Sequence, residues 1–104
     1  MDEFFFYKTG VTRSRDESLH DLLITAKDGL KRTRIMYGAN LSWNPMLKML
    51  KLAEAAGLIE EVEEPRYGRY GKRSPAAVWR TTEKGLRHAK IIYDNFKLLQ
   101  EAVG

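Results

Sequence analysis

The segment Pro65-Arg66-Tyr67-Gly68-Arg69-Tyr70-Gly71-Lys72-Arg73-Ser74-Pro75 constrains this chain more than any other. Prolines bound it and glycines punctuate it, which is loop chemistry. On one side Leu58 to Val62 mixes apolar and acidic residues in a strand-like run; on the other, Ala76 to Thr81 supplies a second run with Val78 and Trp79. Two such runs joined by one loop make a long hairpin with a basic tip. The remainder reads largely as helix, so the hairpin has to pack on helices.

The first helix is expected to start at Ser14, whose hydroxyl caps the first turn while Glu17 reaches back as a capping box. Leu19, Leu22, Leu23 and Ala26 fall at helical spacing, and Gly29 is the expected stop. Thr33 is expected to cap a short helix over 34–38 with Ile35 and Met36 available to the core, followed by a turn through Ala39, Asn40 and Leu41. Ser42 opens a third helix. Pro45 in its first turn costs no internal hydrogen bond, and because Pro45 lacks an amide, the Ser42 hydroxyl is expected to bond the Asn44 amide instead. Met46, Leu47, Leu50 and Ala53 form the inward face down to Gly57, leaving Lys48 and Lys51 to face outward. The last helix, over 83–103, carries more apolar surface than the edge of one small domain accepts, and Gly85 weakens its first turn. Ahead of all this, Phe4-Phe5-Phe6-Tyr7 has strand propensity and is expected to form a short strand or extended arm, covering either the core or a second subunit.

Helix, short helix, turn, helix, hairpin, helix is the winged helix-turn-helix order. The expected class is α+β, mainly α, with a long wing hairpin. Residues 1–13 are expected as an aromatic strand or arm, 14–82 as the winged-helix DNA-binding domain, and 83–104 as a C-terminal helix that forms the dimer interface. With 104 residues and 43% hydrophobic content, the chain fits one domain.

The stretch Thr33-Arg34-Ile35-Met36-Tyr37-Gly38-Ala39-Asn40-Leu41-Ser42, followed by Trp43, resembles the helix-turn-helix signature of the archaeal 10a-type winged-helix DNA-binding proteins. A looser likeness runs through Leu58-Ile59 and Thr82-Glu83-Lys84-Gly85. The resemblance implies a small protein that binds duplex DNA and dimerises through a long C-terminal helix in an antiparallel coiled coil. This chain departs from the family pattern in its longer, more basic hairpin, its shorter last helix and its aromatic N-terminal arm.

A net charge of +4 and a pI near 9.4 favour an anionic partner. Duplex DNA attracts protein mainly through its phosphates, so the candidate contacts are the cationic clusters. Lys31, Arg32 and Arg34 crowd the entrance to the second helix, and Ser42, Asn44, Lys48 and Lys51 lie on the third, which is the element suited to a major groove. The wing adds Arg66, Tyr67, Arg69, Tyr70, Lys72 and Arg73, suited to a backbone or a minor groove. Trp43 is expected to pack against the hairpin or second helix rather than on a base. Glu60, Glu61, Glu63 and Glu64 would repel DNA, and are expected on the far side of the hairpin or bridged to wing arginines. For a homodimer, Leu86, Ala89, Tyr93, Phe96 and Val103 follow steps of three and four broken by Gln100, while Ile92 and Leu99 widen the stripe.

The absence of cysteine excludes disulfides, thiolate catalysis and cysteine zinc sites. His20 and His88 are isolated, match no metal-ligand pattern and are expected at the surface. With no nucleophile signature and no phosphate-cradling glycine motif, the chain reads as a non-enzyme without cofactor, metal or small-molecule ligand. Its acidic opening Met1-Asp2-Glu3 and the shortness of the aromatic run argue against a signal peptide or membrane span, so a cytoplasmic, nucleoid-associated protein is expected. Three functional readings stay open: a site-specific regulator, a sequence-tolerant architectural DNA binder, and a winged helix used for protein interaction.

Overall fold

Local chemistry sets most helix boundaries, and tertiary pairing with the hairpin sets the end of the first helix and the start of the second. The computed structural model describes residues 3–67 and 73–103, the side chains of 64–67 and 73–76 excepted. After a 3-10 turn at Phe6–Thr9 come α1 (Arg15–Thr25), α2 (Arg32–Gly38), α3 (Trp43–Ala55), β1 (Ile59–Tyr67), β2 (Arg73–Thr81) and α4 (Glu83–Val103). This is the expected winged helix, mainly helical with one antiparallel hairpin.

The capping box of α1 is present: the Ser14 hydroxyl accepts from the Glu17 amide at 3.1 Å, and the Glu17 carboxylate accepts from the Ser14 amide at 2.7 Å. Leu19, Leu22, Leu23 and Ala26 are all buried, as the spacing predicts. The helix stops at Thr25, earlier than the expected stop at Gly29. Its last carbonyls are captured by β2. Thr81 donates its hydroxyl to Leu23 O at 2.6 Å and its amide to Ala26 O at 3.1 Å, and the Lys27 amide turns back to Ile24 O. Gly29, at φ +92°, then redirects the chain so that Leu30 exchanges two backbone hydrogen bonds with Trp79, at 3.0 and 2.8 Å.

That pairing explains a second departure. α2 begins directly after Leu30, with Lys31 as N-cap, so Thr33 lies inside the first turn and caps nothing. α2 ends as the sequence suggests. Asn40 adopts φ +54° and the Leu41 amide reaches back to Met36 O at 3.0 Å, a left-handed termination in which asparagine is tolerated. α3 is capped in backbone geometry by Ser42, but the expected bond to the Asn44 amide is not made. Pro45 has removed the third-position donor, and the Ser42 hydroxyl makes no cap hydrogen bond.

The expected loop from Pro65 to Pro75 is shorter than its composition suggests. Strand pairing continues through Pro65↔Pro75 to Tyr67↔Arg73. Trp79 and Thr81 point their amides away from β1, toward Leu30 and Ala26. By alternation, positions 75 and 65 also direct their nitrogens outward, so both prolines sit where the ladder needs no donor.

α4 begins at Glu83 as expected, with the Thr82 hydroxyl accepting from the Gly85 amide at 3.0 Å. Gly85 is more than a weak helix former. A Cβ there would fall 2.0 Å from Leu58 O, so only glycine lets α4 approach the start of β1 this closely.

The aromatic run forms neither strand nor arm. The Phe6 and Tyr7 amides donate to the two carboxylate oxygens of Asp21, at 2.8 and 2.9 Å, and the chain curls into the 3-10 turn around them. Phe6 is buried, and Phe4 lies against Phe6, Tyr93 and Phe96 at centroid distances of 4.9, 5.0 and 5.6 Å. His20, expected at the surface, is 3% exposed beneath these rings, with Nδ1 3.0 Å from Asp21 Oδ1. The aromatic segment covers the α1–α4 face and withdraws the histidine from water. Arg13 completes the cluster, donating to Asp21 at 2.9 Å and to the carbonyls of Ala39 and Asn40 in the helix-turn-helix turn.

Burial pushes the Asp21 carboxyl upward. Hydrogen bonds from His20, from the Phe6 and Tyr7 amides and from Arg13 outweigh it and hold the carboxyl below its usual range. A depressed folded-state pKa stabilises the fold above the unfolded value, about 3.9, and the effect is lost as pH falls through the folded value. Asp21→Asn is therefore expected to cost roughly 3–5 kcal/mol at pH 7, the usual range for breaking a buried pair. In urea denaturation the gap between wild type and variant should begin to close as pH falls below about 4 and vanish only below the lowered folded-state value; a gap that persists at the lowest pH would assign the loss to packing instead.

Candidate nucleic-acid interface

α3 presents one face to the core and the opposite face to solvent. Met46, Leu50 and Ala53 are buried, whereas Asn44, Lys48 and Lys51, spaced four and three apart, line up on the other side. Ser42 stands at the open end of the helix, where unpaired amides and the helix dipole favour an anion. Lys31, Arg32 and Arg34 are exposed at the start of α2. Of these candidates the structure brings Arg32, Asn44, Lys48 and Lys51 together around one groove of about 500 Å³, which also touches Leu47, Leu50, Glu54 and Trp79.

Trp43 keeps 43% of its surface exposed, so the expected packing covers it only in part. Tyr37, on α2, is 74% exposed, and the sequence reading does not single it out. Its place in the Thr33–Ser42 decamer is the available signal, but aromatic residues default to core when periodicity alone is read.

On the wing, Arg66, Tyr67 and Arg73 belong to the paired strands, with side chains outside the described set. Arg69, Tyr70 and Lys72 lie outside the described residues altogether. The acidic residues are not gathered on one far side, because neighbouring strand positions alternate between faces. Glu60 pairs with Arg80 at 3.2 Å, on β2 rather than on the wing tip, while Glu61 and Glu63 are exposed on the opposite face, that of Trp79.

α4 divides differently from the heptad reading. Ala89 and Ile92 are buried within the chain, and Tyr93 and Phe96 are half-buried against the N-terminal aromatics. Leu86, Leu99 and Val103 remain exposed, joined by Ile91 at 55% and Leu98 at 65%. Ile91, Asn95, Leu98 and Ala102 follow steps of four, three and four, a second seam on the solvent side that the more apolar first stripe concealed. Among the described residues no three metal-ligating side chains converge, and no helix is long and apolar enough to cross a membrane.

Comparison with known proteins places this geometry. The family model described as winged helix-turn-helix matches residues 12–100. Among curated proteins, none matches the chain. Among solved structures, the chain is similar to Sso10a-2, a DNA-binding protein from Sulfolobus solfataricus, with 21% identity, a TM-score of 0.66, and coverage of 88% of this chain and 86% of that one. It is also similar to the PcaV transcriptional regulator from Streptomyces coelicolor, with 18% identity, a TM-score of 0.61 and coverage of 88% and 60%. MepR, a transcription regulator of the Staphylococcus aureus multidrug efflux pump MepA, matches with 17% identity, a TM-score of 0.59 and coverage of 92% and 65%. The chain thus spans under two thirds of the length of these two regulators. The likenesses establish a shared fold, and the Sso10a-2 match agrees with the 10a-type resemblance carried by Thr33–Ser42.

Proposed function

We propose that this chain, which belongs to the winged helix-turn-helix family, binds duplex DNA as a dimeric transcriptional regulator, with α3 in the major groove and the basic wing on the backbone or minor groove. The observation that carries the reading is the outward face of α3. Asn44, Lys48 and Lys51 project opposite the buried face, and Arg32 stands beside them. A helix of this diameter fits a major groove, its open N-terminus suits a phosphate, and the lysines neutralise backbone charge. Sso10a-2 being a DNA-binding protein supports the partner, and PcaV and MepR being transcriptional regulators supports the role. A winged-helix scaffold with this surface is a binding protein rather than an enzyme, acting in the cytoplasm where the DNA is.

A second reading, a sequence-tolerant architectural binder, is favoured by the composition of that same face. Lysine and arginine dominate it, and such contacts position a protein without reading bases; Asn44 is the main base-reading group. The protein-interaction reading gains no support from the N-terminal aromatics, since Phe4 and Phe6 are engaged with His20, Tyr93 and Phe96 instead of forming an exposed patch with Trp43.

Dimerisation rests on α4. Its last turns run beyond the core, leaving Leu98, Leu99 and Val103 65–89% exposed, and a helix end without packing is marginal in water. A second copy along the Ile91–Leu98 seam would cover it.

Binding should weaken steeply with salt. Lys48→Ala with Lys51→Ala should lower the log–log slope by about 0.9 for each phosphate no longer neutralised, and alanine at Arg66, Arg69, Lys72 and Arg73 should flatten it further; unchanged slopes would remove those residues from the interface. Selection from random duplexes should enrich a palindrome if the protein is a regulator, and no enrichment would favour the architectural reading. In sedimentation, Ile91→Glu with Leu98→Glu should yield a folded monomer; a persisting dimer would mean another surface pairs.

A further inference from the structure

The guanidinium of Arg13 is withdrawn from solvent and shared between α1 and the turn that launches α3. Its side chain is 12% exposed. Nη1 donates to Asp21 Oδ2 at 2.9 Å and to Ala39 O at 2.6 Å, and Nη2 donates to Asn40 O. Ala39 and Asn40 are the two residues that follow α2. Asp21 is itself fixed, its two oxygens accepting from the Phe6 and Tyr7 amides. The guanidinium is therefore anchored on α1 and holds the turn from there.

That turn carries the face assigned to DNA. Only residues 39–42 lie between α2 and α3, and among them Asn40 stands at φ +54° while the Ser42 hydroxyl makes no cap hydrogen bond. The Ala39 and Asn40 carbonyls stand at the C-terminal end of α2, where a helix leaves acceptors unpaired and a cation is favoured. Met46, Leu50 and Ala53 hold α3 on the core by apolar contact, which has no preferred direction. Hydrogen bonds do have one. A tilt of roughly 10° at the turn would carry Lys51, roughly 12 Å along α3, sideways by roughly 2 Å. That is several times the roughly 0.5 Å within which a binding group has to be held.

We propose that Arg13 is a positioning residue for DNA binding: it touches no DNA, and through the Ala39 and Asn40 carbonyls it sets the angle at which α3 presents Asn44, Lys48 and Lys51. The requirement is for the planar fork rather than for the charge. A lysine ammonium here keeps the ion pair with Asp21 but lacks the two-nitrogen geometry that spans neighbouring carbonyls. The effect on affinity rests on the DNA-binding reading; the hold on the turn does not.

The experiment compares the full-length wild type with Arg13→Lys in duplex binding across salt concentrations and in amide hydrogen exchange, both well below either unfolding midpoint. The duplex Kd should rise roughly ten-fold, the size of one lost base contact. The salt slope should stay at the wild-type value because no phosphate contact is lost, whereas Lys48→Ala lowers it. The Leu41 amide, bonded to Met36 O at 3.0 Å, should exchange faster relative to the Leu22 and Leu23 amides of the core. An unchanged Kd or a lowered slope overturns the proposal, as does exchange that quickens equally at all three amides, which is the mark of global destabilisation. Should Arg13→Lys not fold, the wild type decides: Arg13 guanidinium protons held on three acceptors should give resolved, slowly exchanging signals, and fast, averaged signals overturn the hold. If the wild type binds no duplex at any salt concentration, the effect on affinity falls with the DNA reading, whereas faster exchange confined to the turn upholds Arg13 as its clamp.

Discussion

The buried carboxylate of Asp21 is the interaction on which the arrangement depends. With none of its side chain exposed, it accepts from two N-terminal amides, lies beside His20 and is bridged by Arg13 to the carbonyls of Ala39 and Asn40. One charge therefore ties together the 3-10 turn, α1 and the helix-turn-helix turn. Burying a carboxylate is unfavourable unless its oxygens are satisfied, and here both are. A cluster that is costly when incomplete favours the arrangement in which all its members are present.

A second constraint works from the other side of α1. The hydroxyl and amide of Thr81 take the carbonyls of Leu23 and Ala26, and the backbone of Trp79 pairs with Leu30. The hairpin thus ends one helix and orients the start of the next. This is why α2 starts at Arg32 and why Arg32 comes to stand beside Asn44, Lys48 and Lys51 across a groove floored by Trp79. The cationic face and the groove beside it are products of the same pairing.

α4 serves two purposes along one helix. Its Gly85, Ala89 and Ile92 side closes the core, with the small residue allowing backbone to approach backbone, while Ile91, Leu98 and Val103 face outward. A 21-residue helix is about 31 Å long, and its last turns run past the buried residues Ala89 and Ile92.

Where adjacent residues decide structure, the sequence was sufficient. Ser14 with Glu17 determined the start of α1, the spacing of Leu19, Leu22 and Leu23 determined its buried face, Gly57 ended α3, and the outward positions of Lys48 and Lys51 followed from a period of 3.6 residues. The Thr33–Ser42 decamer carried the family. Tertiary structure alone decided what depends on partners distant in the chain. Asp21 draws Phe6 and Tyr7 from 15 and 14 residues away and turns an expected strand into a 3-10 turn. Leu30 and Trp79 displace the cap expected at Thr33, and the N-terminal rings cover Tyr93 and Phe96, two residues of the α4 stripe expected as a dimer seam. The physical reason is common to these cases: local propensities are worth only about a kcal/mol, and satisfying a buried charge, donor or apolar face outweighs them.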